Sequence, residues 1–385
     1  MNDYSLHCLG AISPSYENFC LPVRIKGIGI TGGFGTGLSH YVESLQGSRQ
    51  PEVELITHQL MDGPVQIPVM RADTAALENF VPKRSLRRID HYSRMAVLGA
   101  ALALEDAGCP GKNMERTGLI VTSGYGAAST TFSFLDSVIK SGDFCASPTH
   151  FSNSVHNAAA AHISILLKIT GPSLTISQFE TSVASGLLTA RQWLAEDRVD
   201  EVLFGAVDEY CPVLGYSALR LADQDRTGKS GDFKSSSTRV MGEGSAFMLL
   251  SRAGKGLEGY ADIVDVQQEN LDRERVKLPH KDLIIINRNP SRNCNRLYNK
   301  VIKRNYHAAA YSHVYGALPT GQAFDLAAAA LMIRKEKVFP AVFFPDNYQT
   351  ISSISQMSDF CGITCLKLNR GGEYGKVRLA RKQQA

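Results

Sequence analysis

The stretch from Gly171 to Leu188, GPSLTISQFETSVASGLL, reads as a buried strand running into a helix N-terminus, with an acid, Glu180, at the turn between them. Such a turn can activate a nucleophile. The free N–H groups and the dipole of the helix favour negative charge, so a thiol placed there would ionise to the reactive thiolate. Glu180 is stabilised by the same field, but a carboxylate cannot serve as the usual thioester carrier. Thr181, Ser185 and Cys211 are the other nucleophiles to weigh. None has a base visible beside it, Ser185 in VASGL lacks the first glycine of a nucleophile elbow, and Cys211 after a strand end reads equally as a small buried packing thiol.

Two further patterns invite chemistry. GIGITG, from Gly27 to Gly32, matches the GxGxxG pattern in which backbone approaches a pyrophosphate at a helix N-terminus. No clear helix opens at Gly32 and no acid ends a second strand convincingly, so a nicotinamide cofactor is not expected. The eight cysteines, Cys8, Cys20, Cys109, Cys145, Cys211, Cys294, Cys361 and Cys365, are scattered without CxxC spacing. Cys361 and Cys365 lie closest, yet no matching His or Cys pair accompanies them, so free thiols and no metal site are expected.

These residues need elements to hold them. A chain of 385 residues with 44% hydrophobic content can bury a large core or two fused ones. A formal charge of +4 makes no case for nucleic acid or membrane binding, while leaving room for a mildly acidic protein partner. Met1 to Phe19 has no secretory pattern, and no apolar run reaches 18 residues, so a cytoplasmic chain is expected. Strands are expected at Val23 to Thr31, Gly118 to Thr122, Glu201 to Val207, Ala246 to Ser251, Tyr260 to Val266, Leu283 to Asn287, Ile363 to Leu368 and Lys376 to Ala380. Helices are expected from Asp90 or Ser93 to Gly108, and over Ser129 to Lys140, Asn157 to Lys168, Leu187 to Ala195, Arg296 to Arg304 and Ala323 to Lys335. The alternation implies two αβ lobes, 25–255 and 256–385, after an N-terminal extension 1–24.

RRIDHYSRMAVLGAALALEDAG, SPTHFSNSVHNAAAAHIS, GPSLTIS and GEGSAFMLL, in that order and at these distances, resemble the β-ketoacyl synthases of the thiolase superfamily. The resemblance runs from Gly27 to Leu379 and is most specific in the first lobe. It implies an α/β, five-layered αβαβα fold of two similar lobes, usually dimeric, with the nucleophile at the start of a buried helix. The family's cysteine falls on Glu180 in ISQFETS, its first histidine on Asn287 in IIINRNPS, and its second on Ala317 in VYGALPTG. Condensation needs a thiolate for the acyl chain and two donors for the enolate formed by decarboxylation, so loss of all three abolishes it at this site. His313, four residues from Ala317, points elsewhere.

A ketosynthase-like chain without its nucleophile resembles the chain-length factor, the non-condensing partner of a type II polyketide synthase, where glutamine commonly replaces the cysteine. Glu180 is nearly isosteric but charged. It either caps the helix and bonds the amides of the former oxyanion hole, or retains a decarboxylase chemistry supplying an acetyl starter. The resemblance implies that Ala128, Thr131 and Leu135, spaced i, i+3, i+7 on one helix face, line the tunnel of an active ketosynthase partner in a heterodimer. They equally suit the core face of an amphipathic helix, and Phe132 and Phe134 read as packing residues. Phe151 to His162, with Ala158 to Ala161 for close approach, and the strand after the Glu180 helix would build the interface. Acyl carrier protein would bring its own phosphopantetheine, no other cofactor being required. Lys83, Arg84, Arg87 and Arg88 could dock that acidic carrier, and Arg296, Lys300, Lys303 and Arg304 form a second basic cluster; solvated faces are the plainer account of both. An aromatic polyketide is the favoured product and an aryl polyene is possible. The alternative is a self-sufficient β-ketoacyl synthase, or a malonyl decarboxylase, with a non-standard active site.

Overall fold

A computed structural model of the chain describes residues 21–60, 63–109, 114–142, 144, 146–227, 240–254, 258–273, 275–287, 292–303, 305–341, 349–350 and 355–381. Its main sheet consists of two half-sheets with the same strand order. The first contains β1 (Val23–Gly32), β2 (Thr117–Ser123), β3 (Ser173–Ser177), β4 (Glu201–Asp208) and β5 (Gly244–Arg252), in the order β3-β2-β4-β5-β1. The second contains β6 (Asp262–Asn270), β7 (Asp282–Ile286), β8 (His307–Ala309), β9 (Gly362–Leu368) and β10 (Glu373–Ala380), in the order β8-β7-β9-β10-β6, with the short strand Gln349–Thr350 pairing β8 on its outer side. In each, the first three strands are parallel and the last two antiparallel. The halves meet where β1 pairs β6 at Val23 and Arg24, sealed by the buried Arg24 guanidinium on Asp262 at 2.8 and 2.9 Å.

Helix α1 (His91–Asp106) is capped by Asp90, whose carboxylate accepts from the Ser93 amide at 3.3 Å, and lies on β1 and β5. The contact leaves no room for side chains on the strand. A Cβ on Gly29 would come within 2.0 Å of the Gly99 carbonyl, and one on Gly27 within 2.4 Å of the Ala103 carbonyl. Two glycines of GIGITG thus let a helix approach a sheet, and after Gly32 the chain turns back to pair Gly35–Thr36 with β1. The dinucleotide pattern has a packing explanation.

Helices α5 (Ser182–Ala195) and α7 (Gly321–Lys335) each touch both half-sheets, so they form the middle layer. Small residues allow it: α7, GQAFDLAAAALMIRK, is buried from Gly321 to Ile333. Helix α4 (Ala158–Leu167) packs on α1 in one outer layer, and α6 (Arg292–Val301) covers β9 in the other. The result is the five-layered αβαβα arrangement of two similar halves. Among the described residues no helix is long and apolar enough to cross a membrane.

Several expectations need correction. The strand before Glu180 is not buried: among the described residues β3 pairs β2 alone, and it is exposed at Ser173, Leu174 and Ser177. The alanine run is not an outward face, since Ala158, Ala159 and Ala160 pack inward and leave Ala161 and Ile165 exposed. Helix α6 begins at Arg292, one turn before Arg296, and Arg304 lies outside the described residues. The region after β1, where no strand or helix is expected from sequence, holds a helix at Leu38–Leu45 and a hairpin of Glu54–Leu60 with Gly63–Met70. Helices α2 (Ala128–Ser141) and α3 (Pro148–Ser154) follow β2, and the sequence signalled the first alone.

Candidate functional site

Glu180 lies half-buried in a 3-10 turn, Phe179–Thr181, between β3 and α5. The cap position of α5 falls on Thr181, whose hydroxyl donates to the Gln178 carbonyl at 3.1 Å rather than capping the helix. Glu180 therefore stands one residue outside the cap, on a turn packed against β9 and β10.

Asn287 follows β7 and is buried with a polar network around it. Its amide donates to the Tyr315 hydroxyl at 2.6 Å and to Asp325 at 3.1 Å, and Tyr315 donates to the other Asp325 oxygen at 2.7 Å. The Lys367 ammonium donates to the Asn287 side-chain oxygen and, at 3.3 Å, to the Leu318 carbonyl. Tyr298 donates to the Asn287 carbonyl at 2.9 Å. Burial pushes the Asp325 carboxyl up to about 7, against its bonds from Tyr315 and Asn287 and the charge of Lys367. Burial also holds the Tyr298 phenol far above its ordinary range, with the charges of Asp325 and Glu180 acting in the same direction.

Ala317 follows Gly316, which has φ 75°, and its backbone is fixed on both sides, its N–H donating to Val240 and its carbonyl accepting from Gly242, each at 3.0 Å. His313 is an exposed residue whose ring bonds the Ala310 backbone, with partial burial lowering its pKa. The charge of Glu180 reaches Tyr298, which bonds Asn287, and Lys367 ties Asn287 to Leu318, the neighbour of Ala317; both amide hydrogens of Asn287 are engaged, by Tyr315 and Asp325. Tyr298, Tyr315, Asp325 and Lys367 were not singled out from sequence. Their signal was there in part: a lysine inside the apolar strand GITCLKL and an aspartate inside an alanine-rich helix.

The tunnel candidates lie on α2. Ala128 is buried, Thr131 is half-buried and donates to Ala127 at 2.9 Å and Ser154 at 3.3 Å, and Leu135 is 45% exposed. Their common face runs from core to surface. It continues into an apolar surface: Phe132, Ile139, Phe151, Val155, Ile165 and Leu174 are exposed on α2, α3, α4, β3 and their joins. Phe134 packs on Phe151 at 5.4 Å between ring centroids. Lys83, Arg84, Arg87 and Arg88 are exposed, Lys83 at 3.4 Å from Glu78. Arg296, Lys300 and Lys303 are also exposed. Of the alternative nucleophiles, Cys211 is buried and the Ser185 hydroxyl bridges the side-chain amides of Gln178 and Gln268. Cys109 and Cys365 are buried free thiols, Cys361 is an exposed one, and Cys294 is buried. Cys8, Cys20 and Cys145 lie outside the described residues. A cleft of about 590 Å³ between the Leu38–Leu45 helix and the end of α7 shares no lining residue with this site.

Residues 22–255 match the family of the β-ketoacyl synthase N-terminal domain. The chain belongs to the β-ketoacyl synthase family. It is 23% identical over 200 residues to 3-oxoacyl-[acyl-carrier-protein] synthase 2 of Vibrio cholerae, covering 49% of this chain and 48% of that one. The match spans about half of that relative. The solved ishigamide ketosynthase/chain length factor superposes with a TM-score of 0.73 at 16% identity, covering 94% of this chain and 99% of that one. AntDE:AntF, a type II polyketide synthase acyl-carrier protein with its ketosynthase bound to the hexaketide, does so at 0.71 and 15% identity, covering 94% and 99%. The thiolase-like ketosynthase fold is shared with both.

Proposed function

We propose that this chain is a non-condensing subunit, a chain-length factor, that pairs with an active β-ketoacyl synthase and shapes its acyl tunnel in type II polyketide biosynthesis. What carries the reading is the residues at the positions the resemblance assigns to catalysis: Glu180 in place of the thiol, and in place of the first histidine Asn287, whose amide is engaged by Tyr315 and Asp325. A thioester has no attacking group there, and its enolate has no free donor from Asn287. This also counts against a malonyl decarboxylase.

The partner reading is supported by the open edge of β3 and the apolar surface beside it. An edge strand with unpaired N–H and C=O groups invites a further strand, and large exposed apolar patches mark interaction surfaces. Similarity to solved proteins that bear the names ketosynthase/chain length factor and type II acyl-carrier protein complex points the same way. In this reading Ala128, Thr131 and Leu135 form the floor of the partner's tunnel, and the exposed Arg84, Arg87 and Arg88 attract an acidic acyl carrier protein. The carrier supplies the phosphopantetheine, and the protein needs no cofactor of its own. The product is an aromatic polyketide or an aryl polyene.

The test is co-expression with a ketosynthase encoded beside it, then size-exclusion with mass determination and malonyl condensation assays of each subunit alone and together. A one-to-one complex that condenses as a pair, with this chain silent alone, is expected. A homodimer of this chain that condenses malonyl units by itself would refute the reading.

A further inference from the structure

The helix Leu38–Leu45 and the last turn of α7 enclose the cleft of about 590 Å³ that stands apart from the Glu180 and Asn287 positions. Its volume lies within the roughly 300–1,000 Å³ of small-molecule sites. The lining combines apolar surface, from Leu38, Val42, Leu331 and the buried Tyr260, with charges of opposite sign on its two sides. Glu43 stands on the helix side, and Arg334 and Lys335 on the α7 side, all three exposed. Exposed charges are ordinary, but these are left open and their walls are held. Among the described residues none of the three enters an ion pair, and Glu336, the acid next to Lys335, faces Arg381 instead at 3.7 Å. The Arg334 guanidinium lies over the Tyr260 ring, 4.4 Å from its centroid. Tyr260 is fixed in turn, since its hydroxyl meets both Asp106 oxygens at 2.9 Å and its backbone N–H donates to the Ile25 carbonyl at 2.8 Å. On the other wall the Tyr41 hydroxyl donates to the Phe324 carbonyl at 2.8 Å, which anchors the Leu38–Leu45 helix on α7.

We propose that this cleft binds a small zwitterion with apolar side chains, of dipeptide size, its ammonium at Glu43, its carboxylate at Arg334 and Lys335, and its side chains on Leu38, Val42 and Leu331. Other small ligands leave part of the lining unmatched. A simple anion would bring its charge towards Glu43, a simple cation towards Arg334 and Lys335, and a neutral apolar molecule would take water from all three charges without pairing them. A single amino acid carries both its charges on one carbon, whereas a peptide unit sets them a further Cα–Cα step of about 3.8 Å apart, as charges on two facing walls require. A guanidinium pairs a carboxylate through two parallel hydrogen bonds, so Arg334, steadied on Tyr260, would also set the ligand's direction. This site is independent of the chain-length reading, because none of its residues belongs to the Asn287 network or to α2.

The test is a ligand-observed NMR titration of the full chain with the dipeptide leucyl-phenylalanine, its N-acetyl form, which lacks the ammonium, and its amide, which lacks the carboxylate. Saturable binding of the free dipeptide is expected, with each capped form at least about five-fold weaker, the size of one lost charge contact. Glu43→Gln should remove the penalty for acetylation and leave that for amidation, and Arg334→Gln together with Lys335→Gln should do the reverse. Ser39→Trp, at another exposed lining position, should block the cleft and abolish binding. An unchanged urea midpoint checks that each variant folds, and the capped ligands test both charges on the unaltered chain without any variant. Absence of saturable binding to the unaltered chain would overturn the proposal. Equal binding of either capped form would overturn it as well, since one charge alone would then suffice, and binding that survives Ser39→Trp would place the dipeptide elsewhere on the surface.

Discussion

Lys367 is 1% exposed one residue from the end of β9, a position where an ammonium is tolerated when paired and hydrogen-bonded. Its partner oxygen on Asn287 belongs to the same network as Asp325, so the three residues stand or fall together. Lys367→Met would leave that oxygen without its donor and Asp325 without a nearby cation. The expected cost is about 1.5–3 kcal/mol in urea unfolding, the range for a hydrogen bond to a charged group. A loss under about 1 kcal/mol, the size of an ordinary hydrogen bond, would show that the network is dispensable. Glu180 could be read from sequence because it interrupts a local pattern. Asn287, Asp325 and Lys367 are spread over some eighty positions, and their contact exists only once β7, α7 and β9 are side by side, so of the three only Asn287 was singled out from sequence.

At the scale of elements, α2 carries the gating assignment, and its exposure gradient sharpens the test. Ala128→Phe places a large ring at a site already buried within the chain, so it should shorten the product and also cost this subunit about 1–3 kcal/mol by overpacking. Leu135→Trp enlarges the same face where it is exposed, so it should shorten the product without that cost. Product mass and urea unfolding separate the two effects; unchanged products from both would remove α2 from the tunnel. The elements themselves were legible in proportion to their periodicity. Helix α1 announced its face and its Asp90 cap, and β4, β5 and β9 announced themselves as apolar runs. The Glu54–Leu60 strand did not, because Glu54, Leu55, Thr57 and Gln59 are exposed and its half-buried face, Ile56 and His58, is not apolar throughout. The exposure of β3 was also hidden: Leu174 and Ile176 look like core, and being an edge is a property of strand order, which no local pattern records.

For the whole molecule, the repeated half-sheets bury acids at their junctions, which makes stability depend on pH in a definite direction. Glu209 follows β4 and is buried, accepting from the Ser129 amide at 2.7 Å. Burial pushes its carboxyl up to about 8; the charges of Asp90 and Glu243 add to this, and the Ser129 bond and Arg71 oppose it. Asp325 is raised to about 7. A carboxyl with a higher pKa folded than unfolded binds its proton more tightly in the native state. Its contribution is therefore full below the ordinary glutamate range near 4.5 and is lost as pH rises through the folded value. Stability should fall between about pH 5 and pH 8, by roughly 1.4 kcal/mol per unit for each such group while its folded and unfolded forms differ in protonation. Glu209→Gln retains an oxygen for the Ser129 amide but cannot ionise, so urea midpoints at pH 6 and pH 8.5 should lie closer together than in the unaltered chain. An equal separation in both would mean that Glu209 is already ionised in the fold at pH 6, and that the start of α2 rests on a carboxylate rather than on a neutral acid.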